Sequence, residues 1–450
     1  MARLKNYNGR FCESDFENTL LSLLEKENWT YMPGNKIPRE SYRDVLYLDD
    51  LEAFLIKIEP KLTNEDIRQV ADKVRLAGAE NDFATLHLLY GWMVDGVQIF
   101  AEDGEPRLVP LIDFDHWQEN NFRVVNQFTV EYTDNGQPQE RRPDVLLYIN
   151  GLPVCIWELK NPTDDKATIY DAWKQINIRY WRDIPQLLHY APLACISDGV
   201  KTRLGTVRTP YEHFYAWRRV NTEDTISTSA YDELLTMVQG VYRPERFLEI
   251  FRDYIYFQDS QYDSDEFEIV CRYPQFFAAR LLKESIIQSV EARTGKGGTY
   301  FGATGCGKTY TMAFLARQLS MRCEDVPAIG SPTIIMIVDR DELQKQSARL
   351  FTKSSEFLGL GEVSVVPDRR SLREELSARE SGGFFICTIQ KFCDRKDDKI
   401  GLLSERSNII CFSDEAHRTQ IERAKAIRFG KDENENMKAM LSKPYDEVLR

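Results

Sequence analysis

Three groups of residues in this 450-residue chain have the types and spacing needed to hydrolyse phosphate esters or anhydrides. Gly302-Ala303-Thr304-Gly305-Cys306-Gly307-Lys308-Thr309 follows G-x-x-x-x-G-K-[ST], the spacing of a phosphate-binding loop. Gly302, Gly305 and Gly307 let successive backbone N–H groups turn toward a polyphosphate. Lys308 brings a cation to the β and γ phosphates, and the Thr309 hydroxyl is placed to hold Mg²⁺. Further on, the apolar run Ile409-Ile410-Cys411-Phe412 delivers Asp414-Glu415-Ala416-His417. Asp414 suits the Mg²⁺ shell and Glu415 the polarisation of an attacking water. The third group is Asp144, Glu158 and Lys160, spaced D-x13-E-x-K. Two carboxylates can hold a divalent ion while a lysine orients or activates water, which is the chemistry of phosphodiester hydrolysis.

These side chains need particular elements to position them. Thr299-Tyr300-Phe301 is expected to be a short strand entering the phosphate loop. Met312, Leu315 and Leu319 mark one face of a helix leaving it, with the phosphates at that helix's N-terminus. Arg141 to Lys160 reads as a β-hairpin around Asn150-Gly151, with Ile156, Glu158 and Lys160 on one side of its second strand. A regular two-residue loop would place Asp144 opposite Trp157 and turn it from Glu158. A three-residue loop or a bulge is therefore predicted. After Lys160-Asn161-Pro162, a helix over about 167–183 places Tyr170, Trp173, Asn177 and Tyr180 on one face, with the aromatics read as core rather than as a base-stacking surface. Gln175, Arg179 and Arg182 fall on another face, a candidate line of phosphate contacts.

Near the start, Phe16, Leu20 and Leu24 recur at helical spacing, and Ser14 with Glu17 has the capping-box arrangement. That cap is the preferred reading of Glu17, the alternative being a metal-binding acid. Asn64-Glu65-Asp66-Ile67 starts another helix, and Val97–Phe100 and 122–132 alternate as half-buried strands before a turn at Asp134-Asn135-Gly136.

The nine cysteines form no C-x-x-C pair and the five histidines no ligand-spaced pair, which argues against zinc sites and a disulfide framework. Buried thiols are expected instead. No apolar run approaches the ~18 residues of a membrane span, and the first residues lack the apolar core of a signal peptide. No membrane partner and a cytoplasmic location follow as expectations. A net charge of −13 does not exclude a DNA partner, because a local basic surface is what binds phosphate.

The DEAH wording of Asp414-Glu415-Ala416-His417 resembles superfamily 2 helicases and translocases. Val109–Asp115, Asn121-Phe122, Val125–Phe128, Arg142-Pro143-Asp144, Asn150–Pro153 and Glu158–Pro162 resemble the N-terminal nuclease domain of the R subunit of type I restriction enzymes. Arg272-Tyr273-Pro274-Gln275 is similar to the glutamine motif that reads adenine. Val338–Gln346, Thr388–Phe392 and Asp414–Arg418 continue the resemblance, which spans about 95–420.

The resemblance implies an α/β chain with a PD-(D/E)xK nuclease domain on a mixed sheet at 1–221, a helical connector at 222–268, and a RecA-like doubly wound parallel-sheet lobe at 269–450. It implies ATP and Mg²⁺ as cofactors, and double-stranded DNA with methyltransferase and specificity subunits as partners. ATP-driven translocation would feed DNA to a Mg²⁺ nuclease. Gln275, Gly302, Gly305, Gly307, Lys308, Thr309 and Asp414 would bind nucleotide; Asp144, Glu158, Lys160 and Glu415 would act in catalysis; Gln175, Arg179 and Tyr180 would contact DNA. A repair helicase–nuclease, or a truncated fragment that binds DNA and ATP without turnover, are the alternatives.

There are two departures from the family pattern. The family places a Gln and a Tyr four apart after the nuclease lysine, whereas Gln175 and Tyr180 are five apart, which puts one of that pair in question. The chain also reaches Arg450 without the later motifs of a second motor lobe, so nucleotide binding with little turnover is expected of these 450 residues.

Overall fold

The computed structural model describes residues 13–161, 168–226, 232–258, 266–303, 305–323, 326–339, 341–359, 363–392, 402–414, 416, 427–431 and 437–441. It divides into two compact units, Met1–Tyr273 and Pro274–Arg450. Among the described residues no helix is long and apolar enough to cross a membrane.

The first unit opens with helix α1 (Glu13–Lys26) and strand β1 (Thr30–Pro33), followed by helices α2 (Leu48–Ile58), α3 (Asn64–Arg75) and α4 (Asp82–Asp95). The expected start of α3 is confirmed by a capping box, in which the Thr63 hydroxyl accepts from Asp66 N and the Asp66 carboxylate accepts from Thr63 N. Two small ribbons, β2 (Val97–Phe100) with β3 (Pro106–Val109) and β5 (Val130–Asp134) with β6 (Gln137–Arg141), flank strand β4 (Phe122–Asn126) in sequence. The second ribbon turns at Asn135-Gly136, as the sequence suggests.

Strands β7 (Val145–Ile149), β8 (Leu152–Leu159), β9 (Leu193–Ser197) and β10 (Thr202–Thr206) complete a six-stranded sheet in the order β1-β4-β7-β8-β9-β10. It is mixed, because β1 with β4 and β8 with β9 are parallel while the other neighbours are antiparallel. Every residue of β7 and β8 is buried, so both faces of the sheet's centre are covered. The strands that carry the carboxylates are thereby held inside the core rather than at an edge.

The segment expected to be a helical connector at 222–268 belongs to this unit. Its helices Asp232–Val241 and Pro244–Asp253 are followed by a two-stranded ribbon, β11 (Ile255–Gln258) with β12 (Phe267–Val270). The reason is packing: Trp29 Nε1 donates to Tyr242 O at 2.6 Å, Trp157 and Tyr242 have ring centroids 5.1 Å apart, and Tyr90 Oη donates to Phe251 O at 2.7 Å. Fully buried Tyr242, Phe247 and Phe251 fill the core.

The second unit carries a four-stranded parallel sheet in the order β14-β15-β13-β16, where β13 is Thr333–Val338, β14 Val363–Val365, β15 Phe384–Thr388 and β16 Ile409–Ser413. Ile335, Ile337, Phe385 and Cys387 pack with Leu372 and Leu376 of the helix Arg369–Ala378. The strand expected at Thr299-Tyr300-Phe301 does not form. Glycines at 297, 298 and 302 bracket only three residues, and Phe301 is 94% exposed, so the run has no buried face to hold it in a sheet. Cys155, Cys195, Cys271, Cys323 and Cys387 are buried free thiols as expected, whereas Cys306 of the phosphate loop is partly exposed and Cys411 of β16 is exposed.

Candidate active site on the mixed sheet

The site begins with a turn. Asn150 and Gly151 have φ of 49° and 78°, the pair of positive values that a two-residue type I′ hairpin requires. A Cβ on Gly151 would come within 1.9 Å of Tyr47 O, so the position admits only glycine. Asn150 is fully buried because its side chain donates to Leu111 O and Asn120 Oδ1 and accepts from Asn121 N.

From this turn the strands pair Ile149 with Leu152 and Tyr148 with Pro153. The register then shifts, so that Leu147 pairs with Cys155 and Val145 with Trp157. The predicted bulge is therefore present, at Val154, on a two-residue loop. Continuing that register sets Asp144 opposite Glu158. Leu159 N donates to Asp144 Oδ2 at 2.7 Å, and the Asp144 charge acts on the Glu158 carboxyl. Without the bulge every inward residue of one strand would face outward.

Glu158 is 1% exposed. Burial, and next the charge of Asp144, push its carboxyl well above the usual carboxylate range, while Lys160 opposes them. Lys160 Nζ donates to Glu158 Oε1 at 2.9 Å, to Leu159 O at 3.0 Å and to Gln175 Oε1 at 3.1 Å. Gln175 Nε2 donates to Tyr180 Oη at 2.8 Å, and Tyr180 Oη donates to Glu158 Oε2 at 3.0 Å. Four side chains thus close a ring of hydrogen bonds.

The ring depends on an unusual helix. Helix α5 (Ile169–Lys174) continues as a π-turn over Gln175–Tyr180. Wider winding brings residues five apart onto one face, and so both Gln175 and Tyr180 reach the site despite the extra residue between them. The faces expected from α-helical spacing are corrected accordingly. Tyr180 is fully buried, as the core reading of the aromatics expects, and faces Glu158; Arg179 is exposed, and Arg182 is paired with Asp183 at 2.7 Å. Residues 162–167, and with them the expected start of the helix, lie outside the described residues.

Glu17 does not form the expected cap. Ser14 lies inside α1, and the Glu17 carboxylate accepts from Asn126 Nδ2 and from Gln127 Nε2, the latter at 2.8 Å. Gln127 N in turn donates to Asp144 O at 3.0 Å, so Glu17 lies one residue's reach from the site through amides that no sequence spacing pointed to. Among the described residues no group of three or more His, Cys, Asp or Glu side chains is gathered for a metal. The candidate donors are the Asp144 and Glu158 carboxyls. Two buried carboxyls with one ammonium beside them offer hard oxygen donors of the kind that fit a divalent cation.

In the second unit Gly307, at φ 83°, precedes the helix Lys308–Met321, so the loop meets a helix N-terminus where anions are favoured. Gln275, buried, donates through Nε2 to Gly307 O at 3.1 Å, and Lys308 Nζ donates to Gly302 O at 3.3 Å. Gly305 also has a positive φ of 78° and Thr309 sits in the first helical turn. Asp414 follows β16 and donates its N–H to Ile337 O at 2.9 Å. Glu415, His417 and Arg418 lie outside the described residues.

A mixed sheet bearing a carboxylate–lysine cluster lies in the first unit, and a parallel sheet with a glycine-rich loop at a helix N-terminus lies in the second. Residues 10–213 match the family described as type I restriction enzyme R protein N terminus, and residues 274–445 match the SWI2/SNF2 ATPase family. The chain is 30% identical over 440 residues to the type I restriction enzyme HindI endonuclease subunit of Haemophilus influenzae, covering 93% of this chain and 40% of that protein. It is likewise 30% identical over 432 residues to the putative type I restriction enzyme MjaIXP endonuclease subunit of Methanocaldococcus jannaschii, covering 90% and 39%. The chain belongs to the family of type I restriction enzyme endonuclease (R) subunits. It spans about two fifths of the length of these curated relatives.

Proposed function

We propose that the first unit is a PD-(D/E)xK nuclease and the second a RecA-like lobe of a superfamily 2 motor. Together they work in a type I restriction endonuclease that translocates and cuts duplex DNA, assembled with methyltransferase and specificity subunits. The observation that carries this reading is the pairing of Asp144 with Glu158 through the Val154 bulge, beside Lys160.

Asp144 and Glu158 would hold Mg²⁺, which when bound supplies charge to acidify water and polarise the scissile phosphate. Tyr180 fixes one Glu158 oxygen and leaves the carboxylate a single orientation. Lys160, steadied by Gln175, presents its ammonium where it can orient the attacking water or meet charge that develops on the phosphoryl oxygens. Exposed Arg179 is available to a DNA phosphate. In the second unit Gln275 would read adenine, Gly302, Gly305, Gly307 and Lys308 would cradle the phosphates, Thr309 and Asp414 would hold a second Mg²⁺, and Glu415 would polarise water.

The test uses the complete assembly with Asp144→Ala, Glu158→Ala or Lys160→Ala. DNA cutting should fall by a factor on the order of 10² or more while ATP hydrolysis persists, since the two sites share no residue. Equal loss of both activities in a well-folded variant would make the carboxylates structural.

A further inference from the structure

The helix after Lys160 carries a surface that phosphodiester hydrolysis does not use. Tyr170 and Trp173, one turn apart on α5, have stacked rings with centroids 5.5 Å apart and planes 10° apart. Tyr211 packs edge-on against both, with centroids 4.9 and 6.2 Å away. Lys174 Nζ lies 5.0 Å from the Tyr170 centroid and is held there by Asp171 at 2.6 Å. The cluster is not core: Tyr170 is 44% exposed, and Trp173 and Tyr211 are partly exposed. It is nonetheless fixed. Trp173 Nε1 donates to Thr209 O at 2.9 Å and Asn177 Nδ2 to Val207 O at 2.8 Å, which ties the segment leading to Tyr211 onto the helix.

We propose that Tyr170, Trp173 and Tyr211, with Lys174, form a stacking platform for an unpaired base of the strand held at the nuclease site. The inference rests on the nuclease reading above. A half-exposed aromatic surface with a lysine at its edge is the chemistry that binds single-stranded nucleic acid without reading its sequence. In a duplex both faces of each base are already stacked, so the ligand is an unpaired segment. Charge and spacing favour nucleic acid over protein. Lys174, paired with Asp171 at the cluster, and exposed Arg179 lie on the same helix as Gln175, which binds Lys160. Tyr170 precedes Gln175 by five residues, about 7.5 Å along a helix axis, or roughly two nucleotide steps at ~3.4 Å each.

The experiment measures binding of a single-stranded oligonucleotide containing 2-aminopurine to the 450-residue chain, in EDTA so that no cutting is needed. The expected result is quenched 2-aminopurine fluorescence. Affinity should fall about 5- to 150-fold in Tyr170→Ala and Tyr211→Ala, and stay within about twofold in Tyr170→Phe, which keeps the ring. Unchanged thermal unfolding of Tyr170→Ala, whose side chain is exposed, shows that the fold is intact. The proposal is overturned if the parent chain does not bind single strands, if both alanine variants bind as the parent does, or if Tyr170 is shielded only by a protein subunit. Asp144→Ala separates this from the nuclease reading. If that variant still cuts in the assembly, the nuclease assignment falls, while loss of single-strand binding by the tyrosine variants alone tests the platform.

Discussion

Gln175 Nε2 donates to Tyr180 Oη at 2.8 Å across a single π-turn, so two side chains five residues apart meet as an i,i+4 pair would in an α-helix. A one-residue insertion in an α-helix is absorbed this way without moving the turns on either side. Trp181, just beyond, still donates through Nε1 to Val207 O at 2.8 Å.

Deleting Ile178, which is 51% exposed within that turn, should therefore restore α-helical winding and leave Gln175 and the tyrosine facing the site. Duplex cutting by the assembled enzyme is expected to stay within about tenfold of the parent. Tyr180→Phe, which removes only the hydrogen bond to Glu158, should cost about 1.5–3 kcal/mol, or roughly 10- to 150-fold in rate. If the deletion is as damaging as Tyr180→Ala, the π-turn is not the compensating device.

The phosphate loop gives a second expectation. A Cβ on Gly307 would meet Gln275 Nε2 at 2.5 Å, and its φ of 83° is itself unfavourable for alanine. Gly307→Ala should weaken adenine nucleotide binding by disturbing Gln275 as well as the loop, at a cost of about 1–2 kcal/mol in strain alone. Lys308→Ala should weaken ATP binding without altering stability. Titration with a fluorescent ATP analogue and with its guanine counterpart separates the two, because only Gly307→Ala should also narrow the preference for adenine.

Glu268 supplies a pH signature. It is 1% exposed on β12, and burial pushes its carboxyl well above the usual range against the pull of the Thr206 hydroxyl and the Arg208 charge. A raised folded-state value means that the native protein holds a proton the unfolded chain has lost. This group's contribution to stability is full below the ordinary carboxylate range and declines as pH rises, by at most about 1.4 kcal/mol per pH unit. Glu268→Gln lacks that slope. Its urea midpoint relative to the parent should rise between pH 5 and pH 8, and a constant difference would show that Glu268 is ionised in the native state.

The packing of Tyr242 and Phe251 into the first unit makes a prediction about fragments. A chain ending at Tyr273 should unfold in one cooperative transition. One ending at Asn221 would uncover Trp29 and Trp157, which are 2% and 0% exposed, and should fail to show a sharp calorimetric transition. Equal cooperativity in both would restore 222–268 to the status of a connector.

The amino-acid sequence alone determined the local chemistry and the order of the units. The phosphate loop, the D-x13-E-x-K spacing and the Asn150-Gly151 turn are short-range patterns whose meaning depends on a few adjacent φ and ψ values and on side-chain type. Even the bulge followed from sequence, because strand pleating leaves only one register that puts Asp144 on the side of Glu158. Tertiary structure decided what depends on long-range packing. The π-turn after Lys160 brings Gln175 and Tyr180 together beside Glu158, whereas helical periodicity read at 3.6 residues per turn places the two on different faces. Ser14 is near Glu17 in sequence and suggests a cap, yet the Glu17 carboxylate is taken by Asn126 and Gln127, more than a hundred residues away. Residues 234–257 carry helical apolar spacing, and only the indole of Trp29 and the ring of Trp157 reveal that they complete the first unit's core.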